Sequence, residues 1–332
     1  MITTRNRWLL LIALASLALA LPGQTATAKY TFMPLPPLFT ANDLSDQREI
    51  VGSTRDGAIG SDEEYATSYL ASIAGLIELD QLSEPSVYRG ISPSGDHIAG
   101  WSKNTLGVWV GQVWSWAIPS YSTGPNTFPV AVNNSGRSTG VQVTWGPNNQ
   151  IATQKVFRSP ATGTTLEILD EWGDPVGIST GGIATYTLTE VLGGRVINRV
   201  KNWLPNGSRI VIDEGECFGV SSSGATIAGQ KLTQATLWTA SGAMNLKAGT
   251  NSLALDANDA GTAVGISRGR AYLFERGKRV DLNTMVKLPK EWKKWRLVRA
   301  KAINNRGDIL VTAQNLTPSQ GKPAYVDVAL LK

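Results

Sequence analysis

The side chains that most enzymes use for acid–base or nucleophilic chemistry are nearly absent from this sequence. It contains one histidine, His97, and one cysteine, Cys217, among 332 residues. A Ser-His-Asp or Cys-His arrangement would therefore depend on His97, which closely follows the turn-like segment Ser92-Pro-Ser-Gly95. Zinc sites are built mainly from several Cys and His ligands, so neither a structural nor a catalytic zinc site is expected. We predict no catalytic residue, no metal and no cofactor.

Two short motifs suggest binding but have a simpler explanation. Residues 256–261, Asp-Ala-Asn-Asp-Ala-Gly, contain the oxygen ligands that calcium prefers, but they lack the bidentate glutamate that ends a calcium loop. Arg306-Gly307-Asp308 is a tripeptide found in adhesion proteins. In both motifs the glycine falls on a turn that recurs along the chain, and its neighbours vary between copies. We therefore interpret both as hairpin turns.

A basic segment and three tryptophans remain as candidate binding features. Residues 287–301 hold seven cations around two tryptophans, which suits an anionic polymer or membrane surface, although a solvated loop leading into a strand is the favoured explanation. Trp145, Trp172 and Trp292 lie in irregular segments, where an exposed ring can stack on a sugar or pack on its own loop. The predicted ligand-binding residues are these three tryptophans with polar partners, namely Asp62, Asp174 and Glu216.

The N-terminal 28 residues have the pattern of a secretory signal peptide. Arg5 and Arg7 precede an apolar run from Trp8 to Leu21, and small residues follow at 26–28. The run is too short to cross a bilayer, and no later stretch is longer, so we expect no transmembrane segment. We predict export to the periplasm or the extracellular space, with residues 29–332 forming one domain.

Charge and cysteine content restrict the partners further. Without Arg5 and Arg7 the chain has 29 cations and 26 anions, a balance too mild to predict nucleic-acid binding. A single cysteine allows no intramolecular disulfide, so stability must come from a hydrophobic core. We expect a monomer whose partner is a glycan or an anionic surface polymer.

A repeat of about 43 residues organises the whole mature chain. Its core is an apolar residue, Ser or Asn, two variable residues and usually Gly, and then a short Ile-Val-Gly-like run. In the seven copies, the fourth residue of the turn is at position 48, 95, 136, 182, 224, 261 or 307. Ser or Asn caps a type I turn through its side chain, and Gly accepts the positive φ of the last position. Arg48 replaces Gly in the first copy, which predicts a strained or differently built turn.

Each repeat offers four short strands joined mostly by hairpins. A second glycine turn follows in several copies, and Asn206-Gly207 is a strong hairpin signal. Recurrent aromatic residues at matching places should pack between neighbouring sheets: Trp109, Phe157, Trp203, Trp238 and Phe274. Repeats of this length and composition predict an all-β, seven-bladed β-propeller. Residues 30–35 and 324–329 look like two parts of one blade, so pairing of the N- and C-terminal strands is expected to close the ring.

The repeats resemble the HAF repeat family of probable extracellular proteins. The resemblance is carried by Arg270-Ala-Tyr-Leu-Phe274 and Gln234-Ala-Thr-Leu-Trp238, which stand where that family has His-Ala-Phe-Leu-Trp, and by Ile-Asn-x-x-Gly turns such as 303–307. Neither strand has the histidine. The resemblance implies secretion and a repeat fold, and it brings no established chemistry.

The function expected from these features is a secreted binding or scaffold module. Its ligand would lie near the ring axis, on the face that carries the variable loops. Two alternatives stay open: a polysaccharide-active enzyme that uses paired carboxylates about 5 to 10 Å apart, and a surface adhesion protein.

Overall fold

The computed structural model describes residues 29–55, 64–72, 75–115, 120–161, 165–169, 172–275, 277–317 and 324–332. The predicted signal peptide and Asp62 lie outside these residues. The prediction of an all-β protein is confirmed, because the helices in the described ranges are three single 3₁₀ turns, Pro147–Asn149, Leu282–Thr284 and Lys290–Trp292. In the same ranges, no helix has the length and apolarity needed to span a membrane.

The described residues form 27 strands. In chain order they are β1 (Thr31–Pro34), β2 (Phe39–Leu44), β3 (Glu49–Arg55), β4 (Glu64–Ser72), β5 (Gly75–Ile91), β6 (His97–Lys103), β7 (Trp109–Ser115), β8 (Tyr121–Pro125), β9 (Thr127–Val132), β10 (Ser138–Trp145), β11 (Ile151–Arg158), β12 (Glu167–Ile168), β13 (Gly173–Ile178), β14 (Ala184–Leu192), β15 (Arg195–Trp203), β16 (Arg209–Glu214), β17 (Glu216–Val220), β18 (Ile227–Lys231), β19 (Gln234–Thr239), β20 (Gly242–Asn245), β21 (Leu253–Ala257), β22 (Ala263–Ser267), β23 (Arg270–Glu275), β24 (Lys278–Asp281), β25 (Trp295–Ile303), β26 (Ile309–Asn315) and β27 (Tyr325–Leu331).

The strands pair as antiparallel sheets that follow the sequence repeat. Five sheets have four strands, and a seven-stranded sheet changes partner within β5, whose residues 75–85 pair with β4 and whose residues 86–91 pair with β6. We number the four-stranded units I (β2, β3, β4, β5), II (β5–β8), III (β9–β12), IV (β13–β16), V (β17–β20), VI (β21–β24) and VII (β25, β26, β27, β1). In unit VII, β1 pairs with β27 in the register Thr31 to Leu331.

The recurring turns have the geometry that their sequence predicts. In each one, the N–H of the fourth residue donates to the carbonyl of the first over 2.8–3.0 Å. The fourth residue has φ between 67° and 85° in all seven turns, which glycine adopts without a Cβ clash. Arg48 has the same conformation, with φ of 67°, so the first turn is built like the others and carries the backbone strain of a non-glycine residue there.

Hydrogen bonds join each of these turns to the next, and the last turn to the first. We call this set the turn ring. Its links are Asp46 N to Pro93 O, Ser94 N to Asn134 Oδ1, Asn133 Nδ2 to Ser179 O, Thr180 N to Ser222 O, Ser223 N to Asp259 Oδ1, Asn258 Nδ2 to Asn304 O and Asn304 Nδ2 to Ser45 O. The turns therefore lie together on one face of the molecule, the turn face. We call the strand that leads into each of these turns the inner strand of its unit, and the opposite ends of the inner strands define the loop face.

The hydrophobic core lies between successive sheets. One cluster joins Val264 and Leu273 of unit VI to Leu297 and Ile309 of unit VII. A second joins unit VII to unit I. The recurrent aromatic residues predicted to pack here are buried at Phe157, Trp203, Trp238 and Phe274, and half-buried at Trp109. Each fully buried ring contributes roughly 2–3 kcal/mol, so the packing of these rings stabilises the contacts between sheets.

Asp308 is a structural residue, which corrects the expectation that the neighbours of the turn glycine vary freely. Its side chain is fully buried. The carboxylate accepts hydrogen bonds from Arg48 Nε at 3.0 Å, from Asn304 Nδ2 at 3.1 Å and from the backbone N–H of Lys332 at 2.8 Å. Arg48 thus replaces the turn glycine because its side chain joins unit I to unit VII.

Candidate functional site

The first strand of each unit contributes to the wall of a cavity of about 910 Å³. Strands β2, β9, β13, β17, β21 and β25 line it and each forms one edge of its sheet, and residues 89–91 of β5 complete the wall. The backbone groups on the cavity side of these strands have no strand partner. Asp46, Ser222 and Asn305 of the turn ring line the turn-face end of the cavity.

Two carboxylates stand at the loop-face end of the cavity, in units IV and V. Asp174 lies at the start of β13 and accepts a hydrogen bond from Gln154 Nε2 at 2.9 Å. Glu216 begins β17 and accepts one from Asn198 Nδ2, which extends from β15. Neither carboxylate forms an ion pair with a described residue. We call Asp174 and Glu216 the acidic arc.

Three cations line another part of the wall, in units II and VII. Arg89 is exposed to the cavity, and its Nη1 donates to Asn42 Oδ1 at 3.3 Å. The Arg299 side chain is exposed and has no hydrogen-bond partner among the described residues. Lys301 is bound to Asp327, with Nζ 2.7 Å from Oδ2. We call Arg89, Arg299 and Lys301 the cationic arc.

The charges of the two arcs affect two buried groups of the cavity wall. Burial lowers the pKa of Lys301, the Asp327 carboxylate opposes this, and the nearby Arg299 and Arg89 add to the lowering. Burial also raises the pKa of the Cys217 thiol to about 12, and the negative charges of Asp174 and Glu216 contribute to that increase. Arg299 and Arg89 therefore lie close enough to Lys301 to affect it, and Asp174 and Glu216 both lie close enough to affect Cys217.

Two further carboxylates in the cavity wall tie neighbouring inner strands together. Asp43 accepts the N–H of Leu44 at 2.8 Å and that of Ile91, in the next unit, at 2.9 Å. Asp256 accepts the N–H of Ala257 and that of Ile303 in the same way, both at 2.8 Å. Burial raises the pKa of Asp43 to about 6 and that of Asp256 to about 8, where the charge of Asp43 adds to the increase.

The predicted ligand-binding residues divide between the cavity and other places. Asp174 and Glu216 both line the cavity. Trp145 and Trp172 are 43% and 49% exposed but lie outside it, and Trp145 donates to Asn126 Oδ1 at 3.2 Å. Trp292 is half-buried and packs edge-on against Phe32, with ring centroids 4.9 Å apart, and both rings lie against the hydrophobic core. Asp62 lies outside the described residues.

Sequence reasoning missed Arg89 and Asp43, and it placed Arg299 and Lys301 in a basic segment and Asp256 in a turn motif without the roles that the structure gives them, although the repeat register contains a signal for four of these residues. Asp43 and Asp256 occupy the position before the last apolar residue of the inner strand, where the other five units have Gly or Ala. Arg89 and Lys301 occupy the position one residue earlier. Charged residues at places where most copies are small or apolar were the available signal.

Solved structures with similar architecture identify the fold. The β-propeller domain of the Trilobed protease from Pyrococcus furiosus superposes with a TM-score of 0.59, at 10% identity, over 92% of this chain and 94% of that one. The fold is a β-propeller. An acylaminoacyl peptidase in complex with Z-Gly-Gly-Phe-chloromethyl ketone matches with a TM-score of 0.60 at 9% identity, over 89% of this chain and 51% of that chain. The uncomplexed Pyrococcus horikoshii acylaminoacyl peptidase gives 0.59 at 10% identity, over 92% and 52%.

These likenesses extend to the fold alone. This chain spans about half the length of the two acylaminoacyl peptidase chains and nearly all of the isolated propeller domain. No protein-family model matches the chain, and no curated protein matches it.

Proposed function

We propose that units I to VII are the blades of a seven-bladed propeller closed by β1 pairing with β27. The turn ring supports this proposal, because its hydrogen bonds pass through all seven turns and return from Asn304 to Ser45. The contact between β2 of unit I and β25 of unit VII supports it as well. In such a ring, units IV and V lie across the axis from unit I and its neighbours II and VII. The acidic arc then faces the cationic arc.

The function that follows is that of a binding module with its ligand in the axial cavity. We propose that the protein is exported and acts as a monomer. The observation that carries the proposal is the pair of charged arcs, because Asp174, Glu216 and Arg299 face a confined space without an ionic partner among the described residues. Walls of one charge sign concentrate the electric field in a cleft and attract ligand groups of the opposite sign.

A binding screen with matched variants tests this function. Purified protein is offered arrays of glycans, anionic polymers and peptides, and each hit is titrated by calorimetry. We expect Glu216→Gln or Arg299→Gln to weaken the ligand roughly tenfold or more, since hydrogen bonds to charged groups are the stronger ones. Glu214→Gln and Arg306→Gln remove exposed charges outside the cavity and should leave the affinity unchanged. If instead only Trp145→Ala or Trp172→Ala abolishes binding, the ligand site is on the outer loops.

A second candidate function is a polysaccharide-active enzyme, and one observation favours it. Asp43 and Asp256 line the cavity with pKa values raised to about 6 and about 8, and a general acid must hold its proton at the working pH. Their oxygens already accept backbone N–H groups, which favours a structural role. The enzyme hypothesis would be supported if the protein releases reducing sugar ends from a panel of polysaccharides and Asp256→Asn abolishes that release.

Adhesion through Arg306-Gly307-Asp308 is disfavoured because the Asp308 side chain is fully buried.

A further inference from the structure

The wall of the cavity is made of strand edges, and this restricts the ligands that suit it. Each of the six edge strands presents backbone N–H and C=O groups on its cavity side, except where a side chain such as that of Asp43 or Asp256 already occupies them. An extended polypeptide matches such edges, because its own backbone supplies donors and acceptors at strand spacing. A sugar matches a broad aromatic platform better, yet Phe218 is the single aromatic residue in the described part of the wall, and Trp145, Trp172 and Trp292 all lie outside the cavity.

The charges in the cavity restrict the ligand in a second, independent way. Among the described residues, Arg299 has no carboxylate partner, Arg89 interacts with the Asp43 carboxylate without forming a salt bridge to it, and Asp174 and Glu216 have no cationic partner. A polyanion would satisfy the cationic arc but would be repelled by the acidic arc. A polycation would have the reverse problem. A ligand with one positive and one negative group at separate places satisfies both arcs.

We infer that the axial cavity binds an extended peptide segment that carries opposite charges at its two ends. A lysine, arginine or terminal ammonium group lies between Asp174 and Glu216. A carboxylate, from an acidic side chain or a chain end, contacts Arg89 and Arg299. The backbone between these groups bonds to free strand edges. This inference rests on the proposed function, and it names the class of ligand for that same cavity.

The test uses fluorescently labelled peptides of equal length that differ only in charge. One series has a basic residue near one end and an acidic residue near the other. Matched series carry two basic residues, two acidic residues or none, and a uronic-acid polysaccharide and a neutral oligosaccharide complete the panel. Anisotropy titrations at low and moderate salt give the affinities. We expect the mixed-charge peptides to bind at least tenfold more tightly than the other three series.

Variants assign each peptide group to its arc. Asp174→Asn with Glu216→Gln should weaken mixed-charge peptides at least tenfold and should have little effect on peptides that lack the basic residue. Arg299→Gln should weaken mixed-charge peptides at least tenfold and should have little effect on peptides that lack the acidic residue. Glu214→Gln and Arg306→Gln are the matched controls. Melting temperatures within about 2 °C of the parent show that the variants still fold.

The outcomes separate the inference from the proposed function. If the polysaccharides bind, the cavity variants abolish that binding, and no peptide series is preferred, the peptide inference is overturned and the binding function stands. If mixed-charge peptides bind but the cavity variants and controls are indistinguishable, the inference is overturned. If no member of the screen depends on the cavity residues, both are overturned.

Discussion

Replacing Asp308 with alanine should cost this protein about 3–5 kcal/mol of its free energy of unfolding, the typical penalty for removing one partner of a buried ion pair. The carboxylate is fully buried, and the Arg48 side chain that faces it is 14% exposed. Asp308→Ala leaves the Arg48 guanidinium without its carboxylate. It also removes the acceptor of the backbone N–H of Lys332. Unfolding a chain of about 300 residues changes the entropy by roughly 0.6 kcal/mol per kelvin, so the melting temperature should fall by about 5–8 °C.

The assay is urea unfolding followed by tryptophan fluorescence, together with calorimetric melting. Arg306→Ala is the matched control from the same turn, because its side chain is 52% exposed and lies 3.8 Å from the same carboxylate. This control should change stability by no more than about 0.5 kcal/mol. The double variant Arg48→Ala with Asp308→Ala should be no less stable than Asp308→Ala alone, since neither charge is then buried unpaired. Equal losses in Asp308→Ala and Arg306→Ala would refute the structural role given to Asp308.

Three further predictions concern the cavity wall. Because burial raises the pKa of Cys217 to about 12, its thiol should react with iodoacetamide at pH 8 far more slowly in the folded protein than in urea, as mass spectrometry would record. Because the pKa values of Asp43 and Asp256 are raised, the folded state holds protons that the unfolded state has released between about pH 4 and pH 8. The free energy of unfolding should therefore fall as the pH rises through this range. Urea titrations should show a smaller pH dependence for Asp256→Asn than for the parent protein. Gly219→Val should destabilise the protein by about 1–3 kcal/mol or more in thermal melts, because a Cβ there would lie 2.6 Å from the carbonyl oxygen of Leu255.

The turns and strands could be predicted from the sequence because their determinants are local. A Ser or Asn followed by Gly three residues later specifies a turn whatever packs against it, and its recurrence gave the order of the strands. The residue before the last apolar residue of each inner strand has a role that the local sequence does not predict. Asp43 and Asp256 bond across to the neighbouring unit, and only the tertiary arrangement supplies the N–H groups of Ile91 and Ile303.

The candidate site was predictable only in part for the same reason. The sequence predicts Asp174 and Glu216 as polar partners of the three tryptophans, and the structure brings both carboxylates, without the tryptophans, to one cavity. Trp292 also lies beside an irregular segment, but the ring of Phe32, far away in sequence, packs against it. Arg299 was assigned to a basic surface segment, whereas its strand turns it toward the cavity. Exposure to a cavity depends on curvature and sheet order, which no local pattern contains.

The turn ring makes the two ends of the cavity different. Asn305 donates from its backbone to Asp46 at 2.7 Å and from its side chain to Ser222 at 3.0 Å, across turns far apart in sequence. These bonds cross the turn-face end of the cavity, and the loop-face end has no such links among the described residues. If the proposed binding function is correct, a ligand would enter and leave at the loop face, and the residues there would influence both its residence time and its selection.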